Sequence, residues 1–237
     1  MMVHGGYSVY GLKIGILVLD SEIPRIPGDI GNAATYDFPV VYKVVPGATI
    51  SKVVGDTDPS VLNPFIKAAR ELEAEGCKAI TTSCGFLASF QDVFSSAVNI
   101  PIFTSSLIQV KYVYSILPPG KKVGIITAEK DSLRLSHLEG VGIQNIPSKI
   151  VGLDGCAAFT AMRSPDPTFD PEVLRADMVK AAKELTSDGD IGAIVIECTN
   201  LPPYSADVAR VTGLPVFDIV TMIHYIHMAL EPKRYNY

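Results

Sequence analysis

The 237-residue sequence predicts an α/β protein of two pseudo-symmetric lobes, each a parallel four-stranded sheet flanked by helices. Three observations predict this class. Short runs of β-branched and apolar residues alternate with stretches of helical period, the signature of βαβ units. The runs are apolar throughout rather than alternating, as in strands buried on both faces. Landmarks also recur at nearly constant spacing: glycines 15 and 124 are 109 residues apart, while cysteines 84 and 198 and prolines 101 and 215 are each 114 apart. Three landmarks in register indicate an internal duplication of about 110 residues per copy.

In the first copy, residues 1–11 carry no periodicity, and residues 13–19 form the first strand, ending at Asp20-Ser21. Residues 22–39, rich in Pro, Gly, Asp and Asn, are a loop long enough to be functional. Val40 to Val45 is the second strand. Asp58 and Pro59 open a helix that runs to Gly76, with Asp as its cap and Pro in its first turn. Its apolar positions Leu62, Phe65, Ile66, Ala69 and Leu72 follow the helical period. The third strand, Cys77 to Ile80, leads into Thr81-Thr82-Ser83-Cys84-Gly85-Phe86, followed by a helix reaching Val98 and a fourth strand at 100–103. Helix-forming sequence over 106–117 ends at the linker Pro118-Pro119-Gly120.

The second copy restarts with Lys122-Val123-Gly124-Ile125-Ile126, which mimics Lys13-Ile14-Gly15-Ile16-Leu17. A helix near 130–139, a strand at 149–153, a second Pro/Asp loop at 164–171 and a helix over 172–186 follow. The strand 191–195 then leads into Ile196-Glu197-Cys198-Thr199-Asn200, and Gly213-Leu214-Pro215-Val216-Phe217-Asp218 mirrors residues 99–104. Gly140-Val141-Gly142 lies at a helix end and reads as a turn. The expected division places residues 1–105 with the last helix and tail, 219–237, in a first lobe, and 106–218 in a second.

Composition excludes several functions. A net charge of −5 and a pI near 5.4, without a Lys/Arg cluster, speak against nucleic-acid binding. Apolar runs stay well short of the roughly 20 residues a membrane span needs, and the first ten residues lack the pattern of a secretory signal. The expectation is a cytoplasmic protein with reduced thiols and no membrane partner. Cysteines 77, 84, 156 and 198 are too dispersed for a disulfide framework and form no CxxC. His224 and His227, three apart on the last helix, lack a third ligand, so no metal and no cofactor are expected.

Cys84 and Cys198 each stand at the carboxyl end of a strand, where open α/β sheets bind ligands. Two facing lobes place them on opposite walls of one cleft. Paired thiols there suit deprotonation of a carbon on one face and protonation on the other, one cysteine acting as thiolate and one as thiol. Each meets the start of a helix, which lowers a thiol's pKa, and the following N–H groups can hold a carboxylate or an enolate-like charge. Cys77 and Cys156 read as small core residues. Asp20 either caps its turn or faces the cleft. Arg25 and Arg163, one in each Pro-rich loop, could pair with a substrate carboxylate, although solvated arginines are commoner there. In the Arg25–Asn32 loop, Arg25 or Asn32 with Ser21 is expected to supply polar contacts, while Phe86 forms an apolar wall.

These residues resemble the aspartate/glutamate racemase superfamily, which includes hydantoin racemases, maleate isomerases and arylmalonate decarboxylases. The resemblance covers nearly the whole chain: duplicated lobes, a cysteine after the third strand of each, and the strand at 100–103 or 214–217 that follows. Cys198-Thr199 is similar to the family's second Cys-Thr motif, and Asp20-Ser21 to the Asp-Ser with which glutamate racemases begin. Gly85-Phe86 departs from the Asn-Thr that usually follows the first cysteine. Asn200 replaces the usual Glu or His, and Glu22 the glycine after Asp-Ser. The resemblance implies an aspartate racemase-like fold and a cofactor-independent racemase or epimerase with Cys84 and Cys198 as acid/base thiols. It also implies a substrate site containing Asp20, Ser21, Arg25, Asn32, Ser83, Gly85, Phe86, Thr199 and Asn200. The expected substrate is an amino acid, hydantoin or dicarboxylate, and the expected assembly a homo-oligomer, dimer or larger. A maleate-type cis–trans isomerase and a hydantoin racemase remain open within the fold, and a two-lobed binding module without turnover outside it.

Overall fold

A computed structural model describes residues 2, 5–54 and 58–235. The first sheet contains β1 (Ile14–Leu19), β2 (Val40–Val45), β3 (Ala79–Thr82) and β4 (Ile102–Phe103), in the spatial order β2-β1-β3-β4. The second contains β5 (Lys122–Thr127), β6 (Ser148–Gly152), β7 (Ile191–Ile196) and β8 (Val216–Phe217), in the equivalent order β6-β5-β7-β8. Every strand pair given by these orders is parallel. The duplication extends to register. Gly15 pairs with Ile80 and Gly124 with Ile194; Ile80 pairs with Ile102 and Ile194 with Val216. Two lobes of parallel strands and helices, as the sequence predicts, are therefore what the chain forms.

The helices are α1 (Ile50–Val53), α2 (Leu62–Ala74), α3 (Gln91–Ser95), α4 (Gln109–Ser115), α5 (Leu135–Gly140), α6 (Ala157–Met162), α7 (Pro171–Leu185), α8 (Ser205–Thr212) and α9 (Ile219–Leu230). Local chemistry sets their starts. Asp170 accepts the Glu172 N–H and Pro171 fills the first position of α7, an arrangement that satisfies one donor and removes another. Asp58 accepts the Ser60 N–H and opens a 3₁₀ turn, Pro59–Val61, which runs into α2. The helix read from Asp58 thus begins as a tighter turn. The stretches expected as helix after Cys84 and from residue 106 also begin as 3₁₀ turns, Gly85–Phe90 and Ser106–Ile108. The helix near 130–139 is confined to α5, and α1, α6 and α8 add short helices in segments read as connections.

The matching glycines have matching physical reasons. A Cβ at Gly15 would stand 2.8 Å from a Leu72 methyl of α2, and one at Gly124 2.7 Å from a Leu185 methyl of α7. Each glycine lets the long helix of its lobe lie closely on the central strand. One continuous buried cluster, from Leu17 and Phe65 to Met178 and Val208, spans both lobes and contains both strand-end cysteines. In a second cluster Ile219, Met222 and Ile223 of α9 pack with Ile14, Ile16 and Phe103 of the first sheet. His227 of α9 stacks on Phe38 at 3.7 Å between ring centroids, and His224 meets the same ring edge-on. Gly142, at φ +66° just after α5, forms the expected turn. Among the described residues no helix is long and apolar enough to cross a membrane.

Candidate active site

Cys84 follows β3 and Cys198 follows β7; each is 8% exposed, and both line one cavity between the lobes. The two turns are built alike. The Phe86 N–H favours the Cys84 thiolate and the Asn200 N–H the Cys198 thiolate, and Cys198 Sγ donates to Asn200 Oδ1 at 3.8 Å. The turns are also bonded to each other across the cleft. Thr199 Oγ1 donates to the Ser83 carbonyl at 2.6 Å, and Ser83 Oγ accepts the Leu19 N–H at 3.0 Å. Both residues thereby fix the backbone that carries the sulfurs.

The long first-lobe loop reaches this junction. The Ile30 N–H donates to the Thr199 carbonyl, and the loop carries a buried carboxylate, Asp29. Asp29 accepts from the Arg25 guanidinium at 2.8 Å, from the Gly31 N–H at 2.7 Å and from the Asn200 side-chain amide at 2.7 Å. These donors satisfy the oxygens that burial takes from water. The arrangement holds Arg25 over the cleft and ties Asn200 to the opposite lobe.

Of the residues expected at the site, Arg25, Ser83, Gly85, Phe86, Thr199 and Asn200 line the cavity with the two cysteines. Asp20 and Ser21 line a wider outer cleft instead, which shares Ile23, Ile50 and Arg163 with the inner cavity. Asp20 accepts the Gly47 N–H at 2.9 Å, the turn-capping alternative. Asn32 lines neither; its side chain caps the 3₁₀ turn Ala33–Thr35 and donates to the Arg25 carbonyl. Arg163 does reach the cavity from the second lobe. It pairs with Glu129 at 2.5 Å and lies over the Phe159 ring at 4.6 Å, and its Nε is buried without a partner. Cys77 is a core residue, whereas Cys156 is only half-buried, at the start of α6.

Not foreseen from sequence is Glu197, fully buried at the end of β7. Its Oε2 accepts from Thr127 Oγ1 at 2.7 Å, the Ala128 N–H favours its ionised form, and Oε1 has no partner. A Cβ on Gly85 would overlap Oε1. The glycine that stands where racemases carry Asn is therefore the space this carboxyl fills. The signal in the sequence was a lone acid ending the apolar strand Ile191–Ile196.

Electrostatics differ from the sequence expectation of an acidic thiol. Burial, and then the Glu197 carboxylate, push Cys84 up to about 12 against the Phe86 N–H, Arg25 and Arg163. Cys198 is pushed well above the ordinary thiol range by burial, then by Glu197, with the Asn200 N–H opposing. Burial likewise raises Glu197 from 4.5 to about 7, against its bonds from Thr127 and Ala128. The 3₁₀ turn after Cys84 and the single N–H at each sulfur do not outweigh desolvation. Among the described residues no three His, Cys, Asp or Glu side chains gather as a metal site.

The duplicated lobes, parallel strand order and cysteine at each third strand define the aspartate/glutamate racemase-like fold. Allantoin racemase from Klebsiella pneumoniae superposes with a TM-score of 0.63 at 12% identity, covering 92% of this chain and 88% of that one. Picrophilus torridus aspartate racemase gives 0.60 at 13%, covering 94% and 96%. Unliganded arylmalonate decarboxylase gives 0.56 at 16%, covering 94% of each. Sequence narrows the class. The chain is 33% identical over 233 residues to a dimethylsulfoniopropionate lyase of Durusdinium sp. clade D, covering 94% of this chain and 77% of that protein. It is 32% identical over 228 residues to dimethylsulfoniopropionate lyase 7 of Emiliania huxleyi (strain CCMP1516), covering 92% and 67%. No family model matches it. The chain belongs to the dimethylsulfoniopropionate lyase family; its sequence relatives are lyases, whereas the sequence alone pointed to an isomerase.

Proposed function

We propose that this protein cleaves dimethylsulfoniopropionate, or a close β-sulfonio acid, by elimination in the cleft between Cys84 and Cys198. The observation that carries the reading is the 33% identity, spread over 94% of the chain, to a lyase of that substrate. The fold accounts for the chemistry, because racemisation and this elimination begin alike, with loss of the proton α to a carboxylate. In a racemase the resulting carbanion is reprotonated from the other face. With a sulfonium on the β-carbon, the electron pair left by the α-proton forms the C=C bond while the C–S bond breaks. The sulfur leaves with its bonding pair as neutral dimethyl sulfide, and acrylate remains.

Each part of the cavity has a place in that step. Arg25 and the unpartnered Nε of Arg163 suit the substrate carboxylate, and paired guanidinium donors favour the charge that builds toward it as the proton leaves. One cysteine, as thiolate, takes the α-proton. Phe86 and Phe159 give the apolar and π-face surface that a sulfonium prefers to water. The thioether departs neutral, so no acid is needed at the leaving group. The cavity holds about 40 Å³ and adjoins the outer cleft at Ile23, Ile50 and Arg163, the side from which substrate enters.

The test is incubation of purified protein with dimethylsulfoniopropionate, with dimethyl sulfide measured in the headspace and acrylate in solution. Equimolar release of both supports the reading. Interconversion of aspartate or hydantoin enantiomers, with no acrylate formed, would return the chain to the isomerases.

A further inference from the structure

We infer that Glu197 is the proton acceptor that ionises the cysteine pair, acting through the thiols rather than on the substrate. The inference rests on the thiol-dependent elimination above and adds a third group to it. Glu197 extends from the second lobe until its Oε1 lies against Gly85, the residue after Cys84, while its own backbone precedes Cys198. The carboxyl is thus placed between the two strand-end turns. Oε2 is held by Thr127, Oε1 is buried and unpartnered, and Glu197 lines the cavity with both cysteines. A carboxyl kept only for packing gains nothing from a bare buried oxygen, where an unmade hydrogen bond is costly.

Three acids in one small buried space ionise as a unit. Arg25 and Arg163 line the same cavity, and Asp29 lies close enough to Cys198 to raise it. In this setting the cleft can lose one proton readily and a second only with difficulty. Moving the thiol proton to Glu197 gives a thiolate without adding a charge to the cleft. The thiolate then takes the α-proton and becomes thiol again, the C–S bond breaks, and Glu197 returns its proton to water. The balance is one proton released per substrate cleaved. Burial and the neighbouring carboxyl keep the thiols protonated far above neutral pH, whereas burial brings the carboxyl to about 7. Gly85 is required because any side chain there would displace the acceptor.

The experiment uses the wild-type protein, Glu197→Gln and Gly85→Ala, with two readouts between pH 5 and 9. One is dimethyl sulfide release; the other is alkylation of Cys84 and Cys198 by iodoacetamide, followed by mass spectrometry without substrate. In the wild type both should rise through a step near pH 7 and then flatten. Glu197→Gln should lose about 10²-fold or more in kcat at pH 7.5 with little change in KM, and both readouts should lose the step and climb steadily to pH 9. Gly85→Ala should follow Glu197→Gln. Retention of the step by Glu197→Gln, its absence from wild-type alkylation, or a loss confined to KM overturns the inference. If the wild type releases no dimethyl sulfide, the substrate assignment falls, and the alkylation step alone decides the role of Glu197.

Discussion

Replacing Glu197 with Gln should stabilise the protein at alkaline pH and leave it unchanged in acid. The carboxyl is fully buried, and its pKa rises from 4.5 when exposed to about 7 in the fold. Between these values the folded state binds the extra proton, so stability falls as pH rises. Stability from this group is complete below 4.5 and lost once pH passes 7. At 1.36 kcal/mol per pH unit the difference amounts to about 3 kcal/mol. The amide keeps the carboxyl's shape and can still accept from Thr127, but it never ionises. Urea melts of both proteins at pH 4.5, 6 and 8 isolate the effect, because other titrating groups cancel in the difference. The gap should be near zero at pH 4.5 and about 3 kcal/mol in favour of Gln at pH 8, roughly 6–12 °C in Tm. Parallel pH dependence in the two proteins would show that burial does not raise the Glu197 carboxyl.

Asp29→Ala removes the partner shared by Arg25, Gly31 and Asn200, so it should cost about 3–5 kcal/mol in urea melts and raise KM by freeing Arg25. Gly15→Ala and Gly124→Ala force methyls against Leu72 and Leu185; each should cost about 1–3 kcal/mol, and similar values would show that the two copies share one packing solution. Arg163→Ala should raise KM for an anionic substrate far more than for its neutral ester, since the loss is of carboxylate pairing.

Much of the fold was legible because the duplication made each copy a check on the other. Gly15 and Gly124 occupy equivalent registers and serve the same helix contact. What escaped sequence reading was set by contacts across the chain. The α8 segment is preceded by Leu201-Pro202-Pro203 and resembles a loop until Val208 is seen buried against the core. The cysteines' positions followed from pattern, but their protonation did not, because desolvation belongs to the assembled cleft rather than to the neighbouring turn. Asn32 was drawn toward the site by its loop, yet its side chain is spent holding that loop's shape. Glu197 sat in the sequence as one charged residue after a strand; only its partner in the other lobe, Gly85, shows why it is there.

The central claim, that a thiol of the cavity shared by Cys84 and Cys198 performs the cleavage, is tested most directly by comparing Cys84→Ser, Cys198→Ser and Cys77→Ser for dimethyl sulfide release at equal folded concentration. Cys84 and Cys198 line the cavity, while Cys77 packs in the core away from it. A hydroxyl is too weak an acid to form the base at neutral pH, so whichever of the first two variants removes the base should lose about 10²-fold or more, and Cys77→Ser should stay near wild type. Near wild-type release by both Cys84→Ser and Cys198→Ser would contradict the account.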